Sequence, residues 1–279
     1  MISFIVPAHN EEGVLAGTLK AIHESARATS QPYEVIVVDD ASTDATATVA
    51  SQNNAWVVSV NFRQIAATRN SGARVATGGR FFFVDADTTA NPRALAAALR
   101  CMDKGAAGGG APARFEATAP LYAQLLLWWL GLFMRVAEIS GGAFIFCTRA
   151  AFQATGGFDE RLFAAEDAAM SQALKRQGRF VVLWPYVVTS SRRVRGFRVL
   201  PALATLVMVA FFPKMLRKRS GVKKVWYESD RGQDGADSHS LAIKTFNCVM
   251  LVIMVAIITG PLQALIPWTL TPRDHLPGK

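Results

Sequence analysis

An α/β fold is what this sequence predicts: a mostly parallel sheet with helices on both faces, followed by membrane-associated helices near the C-terminus. Three observations predict it. Apolar, β-branched runs at Ile2–Val6, Val35–Val38, Trp56–Val60 and Phe81–Val84 alternate with segments of helical spacing, the pattern of βαβ units. The runs are almost unbroken in hydrophobicity, as in strands covered by helices on both faces. Two later stretches, 199–213 and 246–270, are long and apolar beside dense positive charge.

The elements follow in order. Leu15, Leu19 and Ile22 mark a helix after the first strand, and Ile65–Val75 marks another after the third. Ser42 is a good N-cap for a helix after the second strand. Beyond Asn91 a helix carries Leu95, Leu99 and Met102 on one face. "GAAGGGAPARF" reads as a close-packed strand or loop, and Tyr122–Met134 as a core helix or one dipping into a membrane interface. "GGAFIFCTR" reads as a strand, "AAFQATGGFDERL" as a short helix closed by glycines, and a helix opens near Glu166-Asp167. Boundaries are expected at 1–195 for the catalytic domain, 196–245 for a basic, partly apolar interface region and 246–270 for a transmembrane or inserted helix.

Charge is unevenly distributed. The net charge is +9, and between Asp167 and Glu228 there are thirteen Lys and Arg and no acid. Such a block suits an anionic surface, and its apolar neighbours favour membrane over nucleic acid. Nucleic-acid binding also lacks the aromatic interleaving of a single-strand platform. The run at 199–213 is short for a span and fits a buried core helix or an interfacial helix better. Basic residues before Phe246 place that side in the cytoplasm. Ile2–Val6 is too short and lacks a basic region for a signal peptide, so the catalytic domain is expected at the cytoplasmic membrane face. Cys101, Cys147 and Cys248 show no metal-ligand spacing and read as reduced thiols.

In open α/β sheets, ligands bind beyond the carboxyl ends of the strands. Strand one ends in Pro7-Ala8-His9-Asn10-Glu11-Glu12, strand two in Asp39-Asp40-Ala41-Ser42 and strand four in Asp85-Ala86-Asp87. Acids at strand two can accept hydrogen bonds from a base and ribose. A D-x-D at strand four can hold Mg²⁺ or Mn²⁺, which prefer oxygen ligands. Glu166-Asp167 at a helix start offers a base for an acceptor hydroxyl. "DADTT" also fits a phosphatase in which Asp85 attacks phosphorus, but that motif belongs on a first strand, and no G-D-x-x-x-D follows. No dinucleotide-binding glycine turn or Walker A sequence is present. His9 reads as a pocket wall, Arg69 as a nucleotide contact or a surface residue, and Thr88-Thr89 as the start of a loop.

"SFIVPAHNEE", "YEVIVVDDASTDAT", "RNSGARVATG", "FFFVDADT" and "GGFDERLFAAEDAAM", in that order, resemble the successive signatures of family 2 glycosyltransferases with the GT-A fold. The resemblance covers about residues 1–190 and implies an inverting, metal-dependent enzyme using a nucleotide-sugar donor. It implies that Pro7, Ala8, His9, Glu11, Asp39, Asp40, Arg69, Asp85 and Ala86 bind the nucleotide. Asp85 and Asp87 would hold the metal, with Asp87 the more direct ligand, and Asp167, assisted by Glu166, would be the general base. Arg114, Arg192 and Arg193 would hold donor diphosphate or acceptor phosphate, as in members that use polyprenyl-phosphate acceptors. Processive members carry Q-x-x-R-W after the base. "QGRF" and "SSRRVRGF" do not match it, so single-sugar transfer is expected, and the apolar segments after the catalytic residues point to a lipid-linked acceptor or to work at the membrane face. A degenerate nucleotide-binding membrane homologue is the alternative.

Overall fold

The structure, a computed structural model, describes residues 1–117, 119 and 121–190. A seven-stranded mixed sheet forms its centre. The strands are β1 (Ile2–Ala8), β2 (Tyr33–Asp40), β3 (Trp56–Val60), β4 (Arg80–Val84), β6 (Ala106–Gly110), β8 (Phe144–Thr148) and β9 (Arg179–Val182), in the order β3-β2-β1-β4-β8-β6-β9. The first four are parallel, and β8 runs antiparallel to both β4 and β6. A second sheet joins β5 (Thr88–Thr89), β10 (Val187–Thr189) and β7 (Ala113–Phe115), in the order β5-β10-β7. Thr88 and Thr89 are thus a strand, because their backbone pairs antiparallel with Thr189 and Val188, whereas sequence pattern suggests a loop.

Alternate side chains of the central strands feed two cores, which is why the "FFFV" run is continuous. Phe4, Val6, Phe82, Val84, Phe144 and Phe146 face α1 (Glu12–Arg27) and α4 (Pro92–Asp103). Ile5, Phe81, Phe83, Ile145 and Cys147 face α3 (Ile65–Val75), α6 (Arg149–Thr155) and α7 (Glu166–Lys175). Truncating one such buried Phe to Ala would cost about 3–5 kcal/mol. Burial in this layer also pushes the Cys147 thiol up, keeping it protonated.

Local signals set the helix ends. Gln64, Asn91 and Thr148 side chains accept hydrogen bonds from Ala67, Ala94 and Ala151 N–H at the starts of α3, α4 and α6. Gly156 closes α6 with φ 78°, a conformation that favours glycine. Ser42 caps no helix: its hydroxyl accepts from Asn10 N–H at 3.0 Å, and α2 (Thr46–Gln52) starts four residues later. The glycine-rich segment divides into β6 and β7. β6 lies between β8 and β9, where a Cβ on Gly108 would stand 2.7 Å from the Phe146 carbonyl.

The apolar helix α5 (Leu121–Ala137) is not a core helix, since Leu125, Trp128 and Val136 are 51%, 50% and 73% exposed. Among the described residues, no helix is long and apolar enough to cross a membrane. The expected segments 196–245 and 246–270, together with Arg192, Arg193 and Cys248, lie outside the described residues.

Candidate active site

Four loops at the carboxyl edge of β1, β2, β3 and β4 converge with the start of α7. At this edge Asn10, Ala41, Arg63 and Ala165 have φ of 54°, 56°, 52° and 61°. Each is a left-handed conformation that costs a non-glycine residue roughly 1 kcal/mol and persists only where the surroundings impose it. Hydrogen bonds between loops supply that imposition. Asn10 Oδ1 accepts from Thr43 N–H at 2.8 Å, and Glu11 N–H donates to Thr46 Oγ1 at 2.8 Å.

The two acids of strand two differ in role. Asp40 is buried, and its Oδ1 accepts from Phe62 and Arg63 N–H at 2.7 and 2.8 Å. Its Oδ2 accepts from Gln64 N–H at 3.1 Å and lies 2.9 Å from the Thr68 hydroxyl. Three N–H groups hold this carboxylate and shape the loop into α3, while the Thr68 hydroxyl, with its one proton, lies between Asp40 Oδ2 and the Gln64 carbonyl at 2.8 Å. Asp39 turns its Oδ1 to Ser42 N–H at 3.2 Å. Pro7 and Ala8 lie buried at the end of β1, Ala8 in register with Asp39.

His9 Nδ1 is 2.8 Å from the Asp40 carbonyl, which can only accept, so Nδ1 is the donor in this contact. The 3.3 Å approach of Arg63 Nη1 to the same nitrogen is then a close contact and not a hydrogen bond.

Arg69 is the centre of the site. It is 1% exposed, which rules out a surface role. Its Nη1 donates to Glu166 Oε1 and its Nη2 to Asp85 Oδ1, both at 2.8 Å, with Gly142 O at 3.3 Å from Nη2. One guanidinium thus ties the first acid of the D-x-D to the first acid of the "ED" pair, 97 residues apart in sequence from Arg69 to Glu166. Phe158 lies beneath it at 5.2 Å. A Cβ on Gly142 would fall 2.5 Å from Nη2, so only glycine leaves the fork its space. Gln64 Nε2 reinforces the same link by donating to Glu160 and Leu162 carbonyls at 2.9 and 2.8 Å.

Asp167 stands beside this pair with its Oδ1 accepting from Ala168 N–H at 2.7 Å. Burial first, and then the Glu166 charge, push its carboxyl up to about 7; Arg69 and the Ala168 N–H oppose that rise, and Asp85 adds to it. A carboxylate near neutrality is suited to taking a proton. Ala86 is buried, its carbonyl accepting from the Thr18 hydroxyl at 2.8 Å. Asp87 lies at the second sheet, where its Oδ1 is 3.4 Å from Thr189 Oγ1 and its carbonyl accepts from Ser190 N–H at 3.1 Å.

Asp85 uses Oδ1 for Arg69 and is 32% exposed, so with Asp87 it offers oxygen-only ligands at the strand end. Two carboxylates with substrate phosphates and water filling the remaining positions fit Mg²⁺ or Mn²⁺. Among the described residues no group of three or more His, Cys, Asp or Glu side chains is gathered for a metal. Among the described residues Arg114 forms no ion pair with these acids. It is exposed on β7 and stacks over Tyr186 at 3.9 Å.

Strand ends place Asp85 and Asp87 at the sheet edge, the helix start offers Glu166 and Asp167, and the family resemblance sets Arg69 among the nucleotide contacts; the bonds from Arg69 to both Asp85 and Glu166 come from the structure. The signal was present as an arginine in "RNSG", with nothing in its spacing to indicate burial.

The Glycosyl transferase family 2 model matches residues 3–158. Validoxylamine A glucosyltransferase of Streptomyces hygroscopicus subsp. limoneus is 32% identical over 122 residues, 41% of this chain and 25% of that protein. The match therefore spans about a quarter of that relative's length. The mannosyltransferase PcManGT of Pyrobaculum calidifontis, solved with GDP-Man and Mn²⁺, has a TM-score of 0.59 and 21% identity over 94% of this chain and 82% of that one. S. aureus TarS 1-349 with UDP-GlcNAc gives 0.55 and 19% over 81% and 76%. A further structure of TarS 1-349 gives 0.52 and 21% over 74% and 65%. At these identities the structural likeness speaks for the fold, an α/β GT-A arrangement. Because the matched sequence spans more than half of the residues and the fold agrees with it, the chain belongs to glycosyl transferase family 2.

Proposed function

We propose that this chain transfers a single sugar from a nucleoside diphosphate sugar to an acceptor hydroxyl or phosphate, with inversion at the anomeric carbon. The acceptor is lipid-linked, and transfer takes place at the cytoplasmic face of a membrane. The observation that carries the reading is the buried Arg69 fork, which holds Asp85 of the D-x-D and Glu166 beside a carboxyl raised to about 7. Family membership supports the reaction class, and the nucleotide sugars bound to PcManGT and TarS support the donor class.

Asp39, His9 and the loop held by Asp40 would receive the nucleoside. Asp85 and Asp87 would hold Mg²⁺ or Mn²⁺, which supplies positive charge against the departing diphosphate. Asp167 takes the acceptor proton as the acceptor oxygen bonds to the anomeric carbon. The bond from that carbon to the diphosphate oxygen breaks with its electron pair leaving on the diphosphate. One displacement from the opposite face inverts the configuration once. Glu166, bonded to Arg69 at 2.8 Å, would hold the start of α7 so that Asp167 faces the acceptor.

The test is a donor-hydrolysis screen over UDP-, GDP- and TDP-sugars with Mn²⁺, repeated with Asp87→Ala. One donor should be hydrolysed, and the variant should lose that activity by a factor on the order of 10². A donor turned over equally by the variant would contradict the metal role of Asp87. No metal-dependent nucleotide binding by calorimetry would favour a degenerate homologue.

A further inference from the structure

α5 carries its apolar stripe outward. Leu125, Trp128, Trp129, Leu132 and Val136 follow a spacing of i, i+3, i+4, i+7 and i+11 and are all exposed. The helix packs through its other side, where a Cβ on Gly131 would meet Pro112 at 3.1 Å. Trp184, 82% exposed, and Tyr186 stand on the turn before β10 and share a cleft with Trp128. Soluble surfaces scatter single apolar residues, and a contiguous aromatic-rich patch marks an interaction site.

The charge at this patch selects the partner. Arg114 stacks over Tyr186 at 3.9 Å and Arg135 over Trp184 at 4.7 Å, and both line the same cleft. Among the described residues neither forms an ion pair; Arg135 Nη1 donates to the Gly131 carbonyl at 3.2 Å and Nη2 to the Leu183 and Trp184 carbonyls at 3.0 and 3.2 Å, neutral acceptors that leave its charge unbalanced. Residues 117–137 contain no acid. Burial and the neighbouring Arg114 both disfavour the Arg135 charge, a strain that an anion would relieve.

We propose that the outer face of α5, with Trp184 and Tyr186, seats on an anionic phospholipid bilayer, where Arg114 and Arg135 meet lipid phosphate. Trp and Tyr concentrate at membrane–water interfaces because each joins an apolar body to a polar edge. The chain's own continuity supports the same occupant. Five residues after Tyr186 the sequence enters 191–227, which holds ten Lys and Arg, no acid and the apolar run 199–213.

This surface also connects to the proposed site, and it rests on that reading only for the lipid character of the acceptor. Tyr186 and Thr189, whose hydroxyl lies 3.4 Å from Asp87 Oδ1, are separated by about 10 Å of extended chain at roughly 3.3 Å per residue. An acceptor headgroup in the bilayer thereby arrives near the D-x-D.

The experiment uses the full chain with Trp128 as its sole tryptophan and the others changed to Phe. It is mixed with phosphatidylglycerol vesicles bearing brominated or unbrominated acyl chains. Brominated lipid should lower Trp128 emission about twofold, and acrylamide access should fall when vesicles are added. Arg114→Gln and Arg135→Gln should each weaken partitioning roughly fivefold, about 1 kcal/mol. Should the single-tryptophan chain fold poorly, hydrogen exchange of the unaltered chain must show vesicle-dependent protection at 121–137 and 183–187.

Trp128 that stays open to acrylamide on bound vesicles overturns the proposal. So does Trp128 shielded before lipid is added, which would mean a second copy or residues 191–279 cover this face. A chain that inserts Trp128 yet transfers no sugar would sink only the proposed function. One that transfers sugar with Trp128 unquenched would sink only this inference.

Discussion

Replacing Arg69 with methionine keeps most of the side-chain volume and removes the charge that two carboxylates share. The wild-type fork is 1% exposed, with both bonds at 2.8 Å. Glu166 is 9% exposed and would be left as an uncompensated buried charge, whereas Asp85, at 32%, can turn toward water. Breaking a buried pair by deleting one partner costs about 3–5 kcal/mol, and here most of that falls on the Glu166 half. The loss should be local first, because the fork joins β4 to α7. Hydrogen exchange of peptides spanning 80–90 and 158–175 should therefore speed up by a factor on the order of 10² or more at pH 7.

Arg69 also holds the Asp167 carboxyl down against burial, so in the variant the acidic limb of the pH–rate profile should move to higher pH. Arg69→Lys should recover part of the protection and little of the rate, since a point charge cannot fork to both acids. Protection within about 0.5 kcal/mol of wild type in the methionine variant would refute the clamp.

Asp167→Asn should lower turnover by a factor on the order of 10² while leaving donor binding intact, as measured by steady-state kinetics and calorimetry. Its stability should change in the opposite sense. A carboxyl raised from 3.8 to about 7 binds its proton more tightly when folded, so wild-type stability falls as pH rises across that window. The asparagine variant escapes this and should gain on the order of 2–4 kcal/mol above pH 7, read from urea midpoints at pH 5 and 8. An equal shift at both pH values would contradict a strained carboxyl. Gly142→Ala places a Cβ 2.5 Å from Arg69 Nη2 and should displace the guanidinium. Loss of about 1–3 kcal/mol and a fall in transfer rate are expected from overpacking, and unfolding at wild-type denaturant would sink that account.

Much of the edge architecture was legible in the chain because strand ends announce themselves. An apolar run that stops at Asp39-Asp40 or at Asp85-Ala86-Asp87 places those carboxylates at the sheet edge whatever the packing beyond. The short strands β5 and β10 were not legible, since two or three residues carry no periodicity and pair only because the chain brings them together. Asp39 and Asp40 illustrate the same limit. Adjacent and identical in type, they take different roles because successive residues of an extended chain point to opposite sides, and only one finds the N–H groups at 62–64.

The sequence by itself determined the βαβ order, the doubly covered sheet and the row of acids along its carboxyl edge. Those follow from local periodicity and from where hydrophobicity stops. Tertiary structure alone decided that Arg69 is buried as the tie between Asp85 and Glu166, that Asp167 sits beside them with a raised affinity for its proton, and that α5 turns its apolar stripe outward. Burial and charge neighbourhood depend on contacts between residues far apart in sequence, and no local pattern encodes them.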